Sequence, residues 1–262
     1  MKQAGPMKRM TYTEGLRAIG ESVKLLRRHK KLLLYFIIPF FINTALLCGL
    51  AYGSFAVLAP WLKGMVTGDA WYLEAVRFII TPLVTIITLA VMVLLYSLLG
   101  NIITSPFNEF LSEAVEKRLA PGTTDDAPLT PAVFFRDLKT MGINTIKLFL
   151  LMIAINAALL IVNIIPVAGG IVYAPLSFMN TVFFLGMQFF EYPLSRRRMA
   201  FKEKMKLAWS HRYGFMGVGT GFFLMSFVPL VGFLGLNLAT MAATLLYVNH
   251  ATPEQPGDHT RT

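Results

Sequence analysis

Charged and polar side chains are spread unevenly along this chain. Four stretches, residues 32–62, 78–108, 148–190 and 213–249, contain no Lys, Arg, Asp or Glu. About 20 apolar residues at ~1.5 Å rise cross the ~30 Å of a bilayer's hydrocarbon, so each stretch is long enough for a membrane helix. Within them the apolar residues run on as blocks, without the alternation of a half-buried strand. The pattern predicts an all-α integral membrane protein. Its single helical membrane domain covers residues 1–250, and a polar, disordered tail follows at 251–262.

The 43-residue stretch 148–190 would be ~65 Å long as one helix, far more than a single crossing needs. It contains IIPVAGGIVYAP, residues 164–175. Pro166 removes a helix hydrogen bond, Gly169 and Gly170 permit a tight reversal, and Pro175 suits the first turn of a new helix. The stretch therefore predicts a hairpin with both ends on one side. VPLVGFLG, residues 228–235, breaks the last stretch in the same way. The arms are short for full crossings, and two readings follow: hairpins that penetrate partway, or ordinary short helical hairpins with their breaks at the outer surface. Residues 32–58 and 78–103 are predicted as two long transmembrane helices, with Pro39 early in the first. Trp61, Trp71 and Tyr72 fall at the loop between them, where interfacial rings belong.

The flanking segments are amphipathic. Thr11 and Glu14 have capping-box spacing, and Leu16, Ile19, Val23 and Leu26 then share one helical face. After Ser105, Phe107, Phe110, Leu111, Ala114 and Val115 stand against Glu109, Glu113, Glu116, Lys117 and Arg118, an abrupt change to an amphipathic helix; the second span can tilt or continue beyond the bilayer as a helix. Residues 120–131 read as a polar loop. In residues 195–212, Met199, Phe201, Met205, Ala208 and Trp209 face one way. Arg196, Arg197, Arg198, Lys202, Lys204, Lys206 and Arg212 supply charge to a basic helix expected at the lipid head groups.

Composition sharpens the picture. The chain has 262 residues, 55% hydrophobic and only 15% charged, with a net charge of +10. Residues 1–31 hold nine Lys or Arg against two acids, and residues 191–212 hold seven against two. Basic loops stay cytoplasmic, so both segments are expected there, with N- and C-termini inside. Topology and anionic lipids account for this charge without a nucleic-acid partner.

Catalytic chemistry finds no foothold. The single cysteine, Cys48, lies in the first apolar stretch and excludes a disulfide framework. His29, His211, His250 and His259 fall in polar segments, and no metal or nucleotide motif is present, so neither an enzyme nor a cofactor is expected. GVGTG, residues 217–221, follows no strand and precedes no Lys; helix packing by small residues explains it. The carboxylates lie outside the apolar stretches, so no buried acid pair is offered as a proton relay. What remains is anion chemistry at Gly15-Leu16-Arg17 and at Arg27, Arg28, His29, Lys30 and Lys31, where helix-end amides and guanidinium forks can hold a tetrahedral oxyanion. Basic residues at the start of a first span also serve topology alone.

SPFNEFLSEAVEKRL, residues 105–119, resembles the PFN-plus-acidic-helix signature of CysZ-type proteins, grouped with the etoposide-induced-protein family. GLRAIGESVKLLRRHKKLLLYFIIPFFIN, residues 15–43, is similar to their opening segment. Residues 190–219, with Glu191-Tyr192-Pro193 and the basic helix, and residues 228–248 are similar to their later ones. The resemblance implies an inner-membrane protein, often oligomeric, that admits sulfate for cysteine synthesis, with two long spans and partly penetrating hairpins. It places the anion at Gly15, Leu16 and Arg17 or at an arginine pair near the first span. There Lys30-Lys31 stand in the pair's place and Arg27-Arg28 lie one turn earlier. Gly232 and Asn237 also depart from the family's usual Asn and Pro. A non-transporting membrane scaffold, with the amphipathic helices as its working surface, is the alternative.

Overall fold

The computed structural model describes residues 7–64, 71–121, 131–162, 168–197 and 199–251. The expected tail, most of the loop at 120–131 and Pro166 lie outside these residues. Among the described residues there is no strand, and the helices are α1 (Tyr12–Arg28), α2 (Leu34–Tyr52), α3 (Ala59–Gly64), α4 (Trp71–Leu119), α5 (Pro131–Val162), α6 (Ala168–Arg196), α7 (Phe201–Ser210), α8 (Arg212–Ser226) and α9 (Pro229–Ala251). A 3₁₀ turn, Lys30–Leu33, precedes α2, and a π-helical turn, Gly53–Leu58, follows it. Among the described residues three helical stretches are long and apolar enough to cross a membrane: Lys30–Trp61, Gly142–Ile161 and Ile171–Arg196. Ile80–Tyr96 is a shorter apolar helical stretch. The described residues group into two compact units, residues 34–107 and residues 1–33 with 108–262.

In the first unit, α2 is inside-out by the standard of a water-soluble protein. Leu34, Ile37, Ile38, Phe40 and Phe41 are exposed while Asn43 is 4% exposed. An apolar surface around a polar contact suits a hydrocarbon solvent, where buried polar groups pair across helices. Asn43 Nδ2 donates to the Pro39 carbonyl at 2.8 Å and to Thr104 Oγ1 of α4 at 2.9 Å. Gly100, one turn before Thr104, leaves the space that the Asn43 amide fills.

The second span continues as one helix into the amphipathic segment: α4 runs unbroken for 49 residues with Pro82 and Pro106 inside it. The switch from apolar to amphipathic at that point changes what surrounds the helix, not the helix itself.

The second unit is built around α8. Gly214 meets Met10, just before α1, Gly217 and Gly221 meet α1 at Tyr12, Gly15 and Ile19, and Gly219 meets Val182 and Gly186 of α6. A Cβ at Gly217 would strike the Tyr12 carbonyl, and one at Gly186 would strike the Phe215 carbonyl. Small residues let backbones approach closely, which is where helix association in lipid gets its van der Waals energy. The GVGTG segment is therefore a packing seam, as its sequence context suggests. The Phe190 and Phe215 rings stack at 3.8 Å, and Phe183, Met187, Leu194, Val218, Ala239, Ala242 and Ala243 complete the buried core.

α1 turns its small residues inward. Gly15, Ala18 and Ser22 are buried, whereas Leu16 is exposed and Ile19, Val23 and Leu26 are half-buried. The predicted apolar face thus lies mostly away from the core. The capping box is present: Thr11 Oγ1 accepts from the Glu14 amide, and Glu14 Oε2 accepts from the Thr11 amide at 2.7 Å.

The break expected within residues 228–235 is found at the start of that stretch, whereas the one expected at Pro166 lies outside the described residues. α8 and α9 are separated only by Phe227 and Val228, and Pro229 opens α9 at a position where its missing N–H costs nothing. Gly232 and Gly235 sit inside α9 against Ser226, Met225 and Phe222 of α8. In the first pair, α5 ends at Val162 and α6 begins at Ala168, so Gly169, Gly170 and Pro175 lie within α6 instead of forming its start. Glycine and proline are tolerated inside helices whose neighbours take up the freed backbone groups.

Candidate functional site

The anion-site residues expected from sequence fall at two ends of one helix. Gly15, Leu16 and Arg17 occupy the first turns of α1, and Arg27 and Arg28 its last, ~18 Å away by helical rise. Lys30 and Lys31 follow in the 3₁₀ turn. Arg17, Arg27, Arg28, Lys30 and Lys31 are exposed. The Gly15 amide donates to the Thr11 carbonyl at 3.1 Å, and the capping box occupies the Thr11 and Glu14 amides. Three of the amides near the start of α1 are thus already engaged, and Gly15 serves the contact with α8. The exposed cations are the part of the expected site that remains open to an anion.

The structure adds two polar clusters that the sequence pattern hides. In the first, Glu116 of α4, its side chain 4% exposed, lies between two guanidinium groups. Its Oε2 accepts from Arg196 Nε at 3.1 Å and Nη2 at 2.8 Å, and its Oε1 from Arg197 Nη2 at 2.9 Å. Arg196 Nη1 donates to Glu109 Oε1 at 2.9 Å, and Nη2 also donates to Ser112 Oγ at 2.8 Å. Asn108, Ser112 and Glu116 recur every four residues, so one stripe of α4 carries the buried polar groups. The remaining oxygen of Glu109 is buried with no partner. Burial pushes the Glu109 carboxyl up from its ordinary value, against the pull of Arg196.

A directed hydrogen-bond chain backs this cluster. Thr244 Oγ1 donates to the Thr240 carbonyl at 2.8 Å, so its only proton is committed. The 2.6 Å contact between Ser112 Oγ and Thr244 Oγ1 then takes its proton from Ser112. Ser112 keeps only lone pairs for Arg196, which fixes that guanidinium in place. The Arg197 guanidinium lies 5.2 Å from the centre of the Tyr247 ring, a cation–π contact.

The second cluster joins α5, α6 and α7. Lys204, its side chain 1% exposed, donates to Glu191 Oε1 at 2.6 Å and to Ser195 Oγ at 2.8 Å. Asn144 and Ser195 donate to the same carboxylate oxygen. Glu191, Asn144, Leu148, Met187, Gln188 and Phe201 line a narrow cleft.

These clusters correct the sequence expectation for the basic segment. Arg196, Arg197 and Lys204 serve internal carboxylates, and the helix itself covers only residues 201–210. Glu116 and Glu191 are buried, though both lie outside the apolar stretches, and each is held by cations. Two histidines are likewise less exposed than their polar surroundings suggest. His211 is 7% exposed, with Nδ1 near the Leu207 carbonyl, and His250 Nε2 lies 3.5 Å from Glu14 Oε2. Among the described residues no group of His, Cys, Asp and Glu has the arrangement of a metal site.

The sequence model of the sulfate transporter CysZ/etoposide-induced protein 2.4 family matches residues 18–236. The chain belongs to that family. It is 30% identical to the sulfate transporter CysZ of Pseudomonas paraeruginosa, over 91% of this chain and 96% of that protein. It is 29% identical, over the same shares, to the sulfate transporter CysZ of Pseudomonas aeruginosa PAO1. The Vibrio parahaemolyticus protein of that name is 28% identical over 82% of this chain and 86% of its own length. These CysZ relatives bear the names of transporters, not of enzymes. The matched region takes in the Lys30–Trp61 span, the Glu109–Glu116 stripe, the Arg196–Arg197 corner and the α8 seam.

Proposed function

We propose that this chain is a permease of the bacterial inner membrane that admits sulfate, or a similar inorganic oxyanion, for sulfur assimilation. The observation that carries this reading is the match to the CysZ family over residues 18–236, with relatives across several bacteria named as sulfate transporters. The apolar stretches provide the membrane body. Arg17, Arg27, Arg28, Lys30 and Lys31 are exposed cations that can gather a divalent anion, and Gly15 and Leu16 belong to the same helix as Arg17.

In the arrangement we favour, Lys30–Trp61 and the apolar part of α4 cross the membrane. The pairs α5–α6 and α8–α9 form the two Pro/Gly-broken hairpins, and α1 and α7 lie toward the cytoplasmic head groups. Both termini are cytoplasmic and the working unit is a homo-oligomer. Breaks inside an apolar hairpin are features of transport sites, because non-helical backbone at depth must be shielded by protein or line water.

Uptake of radiolabelled sulfate into proteoliposomes tests the proposal. Saturable uptake is expected, weakened by Arg17→Ala or by Arg27→Ala with Arg28→Ala. A folded protein that gives no flux above empty vesicles removes sulfate from the assignment and leaves a membrane scaffold as the better reading.

A further inference from the structure

The Arg196–Arg197 corner has the make-up of an anion site that is occupied by the protein's own carboxylates. Two guanidinium groups meet two carboxylates, so the cluster is neutral as it stands. The two acids are not held equally. Glu116 is almost fully buried and uses both oxygens, one on each arginine. Glu109 binds through one oxygen only, its side chain is 21% exposed, and its second oxygen is buried without a donor. Glu116 is thus a fixed part of the wall and Glu109 a weakly held occupant.

Access follows the same order. The Glu109 side chain is 21% exposed and Glu116 only 4%, so the corner is more open on the side of Glu109 than at Glu116. Ser112 cannot turn its proton outward, because that proton is committed to Thr244. It acts instead as the prop that aims Arg196. The stand-in is chemically apt: a carboxylate presents two oxygens to a guanidinium fork as an inorganic oxyanion does.

We propose that Arg196 and Arg197, positioned by Ser112 and Glu116, form a second oxyanion site, distinct from the cations of α1, for which the Glu109 carboxylate is the built-in competitor. The site rests on the oxyanion-permease reading above and adds to it. An incoming oxyanion takes the place of Glu109 on Arg196 Nη1, beside the pair of guanidinium groups that Glu116 holds together. With Glu116 retained, the two arginines leave one net positive charge to receive it.

The test is equilibrium binding of radiolabelled sulfate to the purified full chain in detergent. Wild type would be compared with Glu109→Gln, Arg196→Lys and the triple variant Arg17→Ala, Arg27→Ala, Arg28→Ala. Glu109→Gln preserves shape and removes the competing charge. It is expected to tighten sulfate binding by about fivefold or more, the usual scale of coupling between two ligands. A misfolded variant cannot produce a gain of affinity. Arg196→Lys is expected to weaken binding, because an ammonium cannot form the fork. The Glu109→Gln effect is expected to survive in the triple-variant background. If wild type binds and transports sulfate but Glu109→Gln binds it equally or more weakly, the second site is wrong and the permease reading stands. If no form binds or transports sulfate, both readings fall.

Discussion

Gly15 of α1 and Gly217 of α8 lie backbone against backbone: a Cβ on Gly217 would reach the Gly15 Cα at 2.9 Å, and one on Gly15 would reach the Gly217 Cα at 3.0 Å. Neither side has a flexible atom to move. Gly20 sits in the same helix with nothing within 4 Å of its missing Cβ. Gly15→Ala should therefore destabilise by about 1–3 kcal/mol through overpacking, whereas Gly20→Ala should stabilise by about 0.5–1 kcal/mol through helix propensity. Thermal unfolding in detergent checks the opposite signs.

Lys204 and Glu191 form a nearly dry ion pair. Lys204→Met strands the carboxylate and should cost about 3–5 kcal/mol. Adding Glu191→Leu to Lys204→Met should recover much of that loss, since an apolar pair carries no desolvation penalty. A double-mutant cycle read by denaturant unfolding measures the recovery. Additive losses would mean that the pair does not interact as described.

Asn43 makes two hydrogen bonds through one nitrogen, one local and one to α4. Thr104→Val removes only the second and should cost about 0.6 kcal/mol, a usual value for an interhelical bond in lipid. Asn43→Leu must also fit its branched side chain beside Gly100, so it should cost more. The order of the two melting temperatures is the readout.

The Glu14 carboxyl is held below its ordinary value of 4.5, chiefly by the Thr11 amide and next by the Thr11 hydroxyl, with a smaller pull from His250. A depressed carboxyl contributes stability above its unfolded value and loses it as pH falls through its folded value. The melting temperature should therefore drop on acidification below about pH 4.5, and Glu14→Gln should flatten that part of the profile. The remaining pH dependence belongs to the other carboxylates.

The α1 start was legible because a capping box needs only two residues at a fixed spacing. The break between α8 and α9 was legible to within a few residues, since proline and glycine mark where a helix can stop without requiring it to stop. Gly169, Gly170 and Pro175 show the difference, as their neighbours let α6 run through them. Glu116 and Arg196 were misread as surface charge because their partners stand 80 residues apart, and no local period records such a pairing. Lys204 was hidden in a basic segment for the same reason. The packing face of α1 is a second face that the apolar stripe does not mark: Gly15, Ala18 and Ser22 are its buried residues.

The glycines of α8 point two ways at once, toward α1 at 214, 217 and 221 and toward α6 at 219. Each residue is separated from the next by ~100° around a helix. A turn of α8 by one position would carry Phe215 or Met216 into a gap that only a hydrogen atom fits. The helix has one angular setting, like a key cut on both edges. The close contacts tie α1, α8 and α6 into one packed block, and a rotation of α8 would require all three helices to part.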